Sequence, residues 1–468
     1  MRILTCASTG QSISLVKRIA TSGEGAIWQT QLDDYLAKVY NLPSSERTRK
    51  LEVMVAYPPQ DPNSQINHIS FAWPKSLLKD TRGNCVGFLM PAIADSVELL
   101  NVYNPQRRQK ILPGFNWLYL HTTAMNIASI VQAIHARGYV LGDIKPQNIL
   151  INNQALPAVI DTDSFQVRHP ETGELFRCLV GSEGFTPVEL LGKDLATVEQ
   201  TEVQDRFRLT VIIYLLLFGD HPFKGKWTGT GDSPDPSELL RQGFWPYAPN
   251  SSIQQGPLTI PLDTVHPEVR RCFLRCFNEG HTQAALRPTA REWFEALKLA
   301  TADLQACRKV KVHYYSQTHG KCYWCDRKTA LGIDIFPAGS NLTPKPGVKI
   351  LQRIKLAMET LTSQATKLSP APLITWGTNR LQKGRMAIRT IKHRVAKPAS
   401  IPAIDYQKSW VRGGTVLSIA AGLFTLLLLL SKSKIHQNDL GLTAVGIFLC
   451  LGLLAVCFFW IKVGKQSA

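Results

Sequence analysis

The stretch from residue 120 to 165 constrains the chain more than any other. Leu120, Ala124, Ile127, Val131 and Ile134 recur at steps of 4, 3, 4 and 3, the spacing of an amphipathic helix. The pattern stops at Arg137-Gly138, a helix-stop signal. YVLGDIKPQNILI follows, a loop carrying Asp143, Lys145 and Asn148 that closes into an apolar strand. After a short gap, PAVIDTDSFQV forms a second apolar strand that delivers Asp161 and Asp163. Two strands that bring acid, base and amide groups to one edge suit metal–nucleotide chemistry. One carboxylate accepts a proton from a hydroxyl, and a lysine neutralises a transferring phosphate. An amide and a second carboxylate offer the oxygen ligands that Mg2+ takes.

Upstream, ISLVKRIATSGEGAIWQT carries a β-rich run through Gly23-Glu24-Gly25. Glycines at this spacing let backbone approach phosphates, and they equally make a plain hairpin turn. Lys38 of YLAKVY comes 13 residues after Gly25. Taken alone, it reads as a solvated strand lysine.

In this order the motifs resemble the protein kinase family. GDIKPQN looks like its catalytic loop and IDTDS like its metal-binding strand end. VGFLMPAI (86–93) is similar to the fifth strand and hinge, VGSEGFTPVEL (180–190) to the end of an activation segment, and the run from Asp205 to the central buried helix. LRPTAREWFEAL (286–297) is similar to the last helices, with Arg287 expected to pair with Glu189. The likeness covers roughly residues 12–300 and is greatest to bacterial eukaryotic-type Ser/Thr kinases with GD-loop and DTDSFQ sequences.

The resemblance implies roles. Asp143 positions and deprotonates the acceptor hydroxyl, and Lys145 contacts the γ-phosphate of ATP. Asn148 and Asp161 ligate Mg2+. Lys38 holds the α/β-phosphates under the backbone of Gly23 to Gly25, and Met90 lies near the adenine. A helix glutamate is expected to pair with Lys38: Glu46 or Glu52, with Glu52 preferred as deeper in the apolar face.

Three positions depart from the family pattern. Leu141-Gly142 stands where His-Arg precedes the loop aspartate, Thr162-Asp163 where Phe-Gly follows the metal aspartate, and Trp28 where a third loop glycine is usual. Without that Arg, a phosphorylated activation segment has no evident cation to dock on. None of the three removes a group expected to touch nucleotide or metal. The alternatives are a pseudokinase scaffold of the same fold and a kinase acting on a small molecule.

Past the kinase-like part, CRKVKVHYYSQTHGKCYWC (307–325) spaces Cys307, His313, Cys322 and Cys325 as C-x5-H-x8-C-x2-C. A two-residue gap lets both thiolates reach one ion, so a structural zinc knuckle is expected, with His319 able to stand in for His313. A redox pair or unrelated residues are the other readings. The remaining cysteines show no ligand spacing and read as small hydrophobes.

Two uncharged runs follow, Thr415–Leu430 and Leu440–Ile461, joined by the nine residues SKSKIHQND. A spanning helix needs ~20 apolar residues, so a two-helix membrane hairpin is expected, with Trp410 and Trp460 at run ends. A buried helical pair is the alternative. The N-terminus lacks the apolar stretch of a signal peptide.

The formal charge is +18, from 53 Lys/Arg against 35 Asp/Glu. Residues 1–340 hold 35 basic and 32 acidic groups, whereas 341–412 hold 14 basic and two acidic. The excess therefore marks a juxtamembrane segment on the cytoplasmic side, attracted to anionic lipid or serving as a solvated tether. No nucleic-acid partner is expected, because aromatics do not interleave the charge.

The expected architecture is an α+β, two-lobed protein-kinase-like fold over residues 1–300, with an N-lobe to about 90 and a C-lobe from about 91. A zinc knuckle (301–334), a basic linker (335–412) and a transmembrane hairpin (413–462) complete it. The expected function is transfer of the γ-phosphate of Mg-ATP to a Ser or Thr of a protein substrate at the membrane.

Overall fold

The computed structural model of the chain describes residues 2–338. Both apolar runs, and the basic linker from residue 339 onward, lie outside the described residues. Among the described residues, no helix is long and apolar enough to cross a membrane.

Residues 2–91 build an antiparallel barrel from β1 (Arg2–Cys6), β2 (Ser12–Thr21), β3 (Gly25–Thr30), β4 (Tyr35–Tyr40), β5 (Ser76–Lys79) and β6 (Cys85–Pro91). The strand order is β1-β2-β3-β4-β6-β5, and β5 pairs back onto β1, so the barrel closes. Leu4, Ile13, Leu15, Ala37, Val39, Leu78 and Leu89 fill its interior, the inward members of a period-2 alternation. At Gly87 a Cβ would lie 2.0 Å from the Lys38 carbonyl oxygen, so only glycine lets β6 pair with β4 there.

Helix α1 (Ser45–Ala56) lies against this barrel. Ser44 caps it by accepting from Arg47 N, and Leu51, Val53 and Met54 form its buried face. A small core of Tyr40, Leu51, Ala72, Leu77, Phe88 and Met90 joins helix to strands.

The second lobe is mostly helical: α2 (Leu99–Tyr103), α3 (Pro105–Ile111), α4 (Trp117–Ala136), α5 (Glu202–Phe218), α6 (Pro236–Gln242), α7 (Pro267–Phe277), α8 (Glu279–Thr282) and α9 (Ala290–Asp303). In α4 the expected stripe of Leu120, Ala124, Ile127, Val131 and Ile134 is wholly buried, and Asn116 caps the helix. α5 opens on a capping box of Thr201 and Gln204 and ends at Gly219, φ 75°. It is apolar on nearly every side and forms the centre of the lobe.

Strands β7 (Ser96–Glu98), β8 (Ile149–Asn152) and β9 (Pro157–Val159) form a small sheet at the edge facing the barrel. Val159 also exchanges hydrogen bonds with the segment before β5: Ala72 N to Val159 O at 2.9 Å and Val159 N to Ser70 O at 2.8 Å. These tie the lobes together beside Asp161. Two short pairings follow, β10 (Val167–Arg168) with β11 (Leu175–Phe176) and β12 (Lys226–Trp227) with β13 (Ile253–Gln254).

After α9 the chain makes a hairpin of β14 (Leu304–Ala306) and β15 (Tyr314–Ser316), then α10 (Tyr323–Leu331). Trp324 is buried edge-on against Trp117, ring centres 4.9 Å apart, and against Phe336 at 4.8 Å. Arg327 donates to Leu258 O and Arg108 to Ile335 O. The extension is thus seated on the helical lobe, sharing its core.

Candidate functional site

The loop before β8 is held from below by Asp205, fully buried at the start of α5. Its carboxylate accepts from Leu141 N at 2.7 Å, Gly142 N at 3.0 Å and Arg208 Nη1 at 3.1 Å, and lies 3.1 Å from His135 Nε2. Burial opposes its charge, but the His135 hydrogen bond and the Arg208 guanidinium outweigh it and hold the pKa below the usual carboxylate value. Gly142 has φ 74°, and a Cβ would meet Cys178 Sγ at 2.5 Å. The departure from His-Arg at 141–142 therefore goes with a backbone turn that an arginine cannot enter.

On this support Asp143 is buried, and Lys145 Nζ donates to its Oδ2 at 2.5 Å. Ser182 Oγ donates to Oδ1 at 2.7 Å. Asn148 Nδ2 donates to Asp143 O at 3.1 Å, leaving its amide oxygen available. Ile160 N donates to Asn148 O at 2.9 Å, which fixes this loop beside Asp161. Asp161 adopts a left-handed backbone, φ 58°, and its side chain is 37% exposed toward the cleft. Asn148 and Asp161 offer the hard oxygen donors that suit Mg2+, so these residues fit that ion.

Lys38 is buried on β4 rather than solvated. Its Nζ donates to Asp161 Oδ1 and Asp163 Oδ1, both at 2.7 Å, with Glu24 Oε2 at 3.9 Å. Tyr40 OH donates to Asp163 Oδ2 at 2.8 Å. Desolvation works against the ammonium, but the two aspartates dominate and push the Lys38 pKa up. Burial and Asp163 push the Tyr40 phenol up as well.

The expected pairing of Lys38 with Glu52 is not what the structure has. Glu52 is exposed and Glu46 stands at the exposed start of α1. At 100° per residue, the face that buries Leu51 and Met54 carries Glu52 outward. Lys50 turns toward the site instead, and desolvation lowers its pKa, with Asp163 the leading opposing charge.

The Gly23–Gly25 segment is the hairpin turn between β2 and β3. The N–H groups of Glu24 and Gly25 are directed to Ser22 Oγ at 3.3 Å, and Asn41 binds the carbonyls of Ser22, Gly23 and Glu24. Its side chain at Glu24 pairs with Arg47 at 3.2 Å. Met90 is buried on β6 among Leu77, Phe88 and their neighbours. Arg287 is buried and grips Glu189 with two bonds, 2.7 and 2.8 Å, as expected.

Four knuckle residues also converge. Cys307 Sγ lies 3.6 Å from Cys325 Sγ, and His313 Nδ1 lies 3.5 Å from Cys325 Sγ and 3.7 Å from Cys322 Sγ. The three thiols lie within 4.8 Å of one another. His319 is elsewhere, against Asp263 O.

Sequence reasoning passed over Ser182, Tyr40 and the grip of Asp205. Ser182 was legible only as a hydroxyl inside VGSEGF.

A β-rich lobe set on a helical lobe, with Asp143, Lys145 and Asn148 on one loop and Asp161 facing a strand lysine, fits a protein-kinase-like fold. Residues 95–242 match the model of the protein kinase domain family, and the chain fits a member of the protein kinase superfamily. It is 30% identical over 376 residues to protein kinase YegI of Escherichia coli strain K12, and 29% identical to the protein of that name from strain O157:H7. Each alignment covers 78% of this chain, and the chain spans 56% of the length of these curated relatives. Calcium-dependent protein kinase 9 of Oryza sativa is 36% identical over 101 residues, 21% of this chain and 17% of that protein.

Proposed function

We propose that the chain transfers the γ-phosphate of Mg-ATP to a serine or threonine hydroxyl of a protein. The observation that carries this reading is at Asp143, where one carboxylate holds a hydroxyl at 2.7 Å and a lysine ammonium on its other oxygen. An acceptor hydroxyl joining Ser182 at that oxygen is within reach of the base. Its oxygen forms the new bond to phosphorus as the bond to the β-phosphate oxygen breaks, and its proton passes to Asp143. Lys145 stands beside the base to neutralise the moving phosphoryl group, and Lys38 stands at the cleft to hold the remaining phosphates. Asn148 and Asp161 would hold Mg2+, which supplies charge neutralisation along the phosphates when bound. The Ser/Thr preference rests on the family resemblance through Lys145 in GDIKPQN. Incubating the chain with Mg-ATP and a protein acceptor, beside Asp143→Ala, tests the reading. Loss of transfer in the variant is expected, and equal behaviour of the two proteins favours the scaffold alternative.

Zinc belongs to the same proposal. A tetrahedral ion with Zn–S bonds of ~2.3 Å and Zn–N of ~2.0 Å separates its ligand atoms by about 3.5–3.8 Å. Three separations agree: Cys307 Sγ to Cys325 Sγ at 3.6 Å, and His313 Nδ1 to Cys325 Sγ at 3.5 Å and to Cys322 Sγ at 3.7 Å. His313 Nε2 lies 3.1 Å from Asp334 Oδ1, the carboxylate contact that orients ligating imidazoles. Stoichiometric metal in the purified chain is expected; none at all rejects the site.

We further place the chain on the cytoplasmic face of a membrane, through Thr415–Leu430, Leu440–Ile461 and the basic segment before them, worth ~1 kcal/mol per Lys/Arg near anionic lipid. Retention of the chain in membranes through alkaline carbonate extraction is expected, and release into the supernatant overturns it.

A further inference from the structure

Lys38 meets two carboxylates that differ in their surroundings. Asp161 has 37% of its side chain exposed to the cleft. Asp163 has 4% exposed, and both of its oxygens are engaged, one by Lys38 and the other by Tyr40 OH. The turn that presents them is fixed from three sides. Thr162 Oγ1 donates to Ala72 O, Ser164 Oγ donates to Asp161 O, and Ser164 N donates to the same oxygen. Helix α1 contributes no acid: Glu52 is exposed, and the inward position carries Lys50. Charge on the two elements is thus exchanged. The acid that a helix would have offered is on the turn after β9, and the helix brings a cation toward it.

We infer that Asp163, braced by Tyr40, is the positioning residue that holds Lys38 in place of a glutamate from helix α1. The inference rests on the kinase reading for its purpose, though only the ATP KM arm of its test does. Asp161 is the carboxylate open to the cleft and suited to a divalent cation. When Asp161 is engaged there, Asp163 still fixes the ammonium. Lys38 stays aimed at the phosphates wherever α1 sits, because its buried partner belongs to the opposite lobe. A shift of α1 therefore makes or breaks no ion pair of Lys38, although α1 keeps its own pairs through Arg47 and Arg49.

The unfolding and labelling arms of the test read the pair without nucleotide. On the full-length chain, Lys38→Met, Asp163→Asn and the double variant are compared by thermal unfolding. The double variant is expected to lose no more in Tm than the worse single variant, whereas Lys38→Met and Glu52→Gln are expected to add. Amine-reactive labelling, read at Lys38 by mass spectrometry, is expected to speed up at least tenfold in Asp163→Asn, since the buried side chain loses the contact that holds its amine in place. Glu52→Gln and Glu46→Gln are expected to label within twofold of the parent. ATP KM is expected to rise at least tenfold in Asp163→Asn, with Asp163→Glu recovering part of it. Additive Tm losses for Lys38 and Asp163, or faster Lys38 labelling in Glu52→Gln, overturn the inference. Should Asp163→Asn fail to fold, the two glutamate variants decide it through the same labelling. A chain that shows the coupling and transfers no phosphate disproves the activity and leaves the positioning intact.

Discussion

Ser182 donates its hydroxyl to Asp143 Oδ1 at 2.7 Å, so the segment after β11 is tied directly to the candidate base. A carboxylate oxygen has two lone pairs, and an acceptor hydroxyl can join Ser182 there without displacing it. Ser182→Ala removes one hydrogen bond to a charged group and is expected to cost about 1.5–3 kcal/mol of stability. Denaturant unfolding measures the loss, and nucleotide affinity is expected to stay unchanged.

Replacing Asp143 by Asn keeps the shape and removes the proton acceptor. Phosphoryl transfer is expected to fall by ~10²–10⁴-fold. Calorimetric titration with nucleotide is expected to give nearly the parent affinity, which separates a chemical loss from a binding one.

Asp205 ties the loop to the core, and its removal strands a buried arginine, Arg208. Asp205→Ala is expected to cost about 3–5 kcal/mol. The pH dependence follows from its depressed folded-state pKa. Its contribution is fully present above the unfolded Asp value of ~3.9 and is lost as pH falls below that, toward the folded value. Unfolding midpoints recorded from pH 6 to pH 2 are expected to fall less steeply below pH ~4 in Asp205→Asn than in the parent.

Removing zinc with a chelator is expected to lower the Tm of the chain, since Trp324 carries the knuckle into the core beside Trp117. Asp334→Ala removes the carboxylate from His313 and is expected to weaken zinc about 10–100-fold. Competition with a chromogenic chelator reads that affinity directly.

Much of the site is legible along the chain because its parts are local. Asp143, Lys145 and Asn148 lie on one loop, and Asp161 ends the strand whose neighbour begins at Ile149, so spacing alone brings them to one edge. The helix stripe from Leu120 to Ile134 and the buried α5 are periodic patterns that survive folding unchanged. The pairing of Arg287 with Glu189, 98 residues apart, came through the ordered likeness to a family rather than through spacing.

What spacing could not reach depends on how elements rotate and approach. Which acid meets Lys38 turned on the phase of helix α1, where each residue turns 100°, so that Lys50, two residues before Glu52, lies on nearly the opposite side. The winner, Asp163, is 125 residues away and reaches Lys38 only once the lobes meet. That His313 rather than His319 lies beside the thiols rested on the β14–β15 hairpin, and barrel closure rested on β5 returning to β1. The sequence by itself determined which reactive groups share a loop, a strand end or a knuckle, because covalent spacing and element periodicity carry that information. The tertiary structure alone decided which charge partners face each other, because burial and the rotation of each element select one contact from several that spacing permits equally.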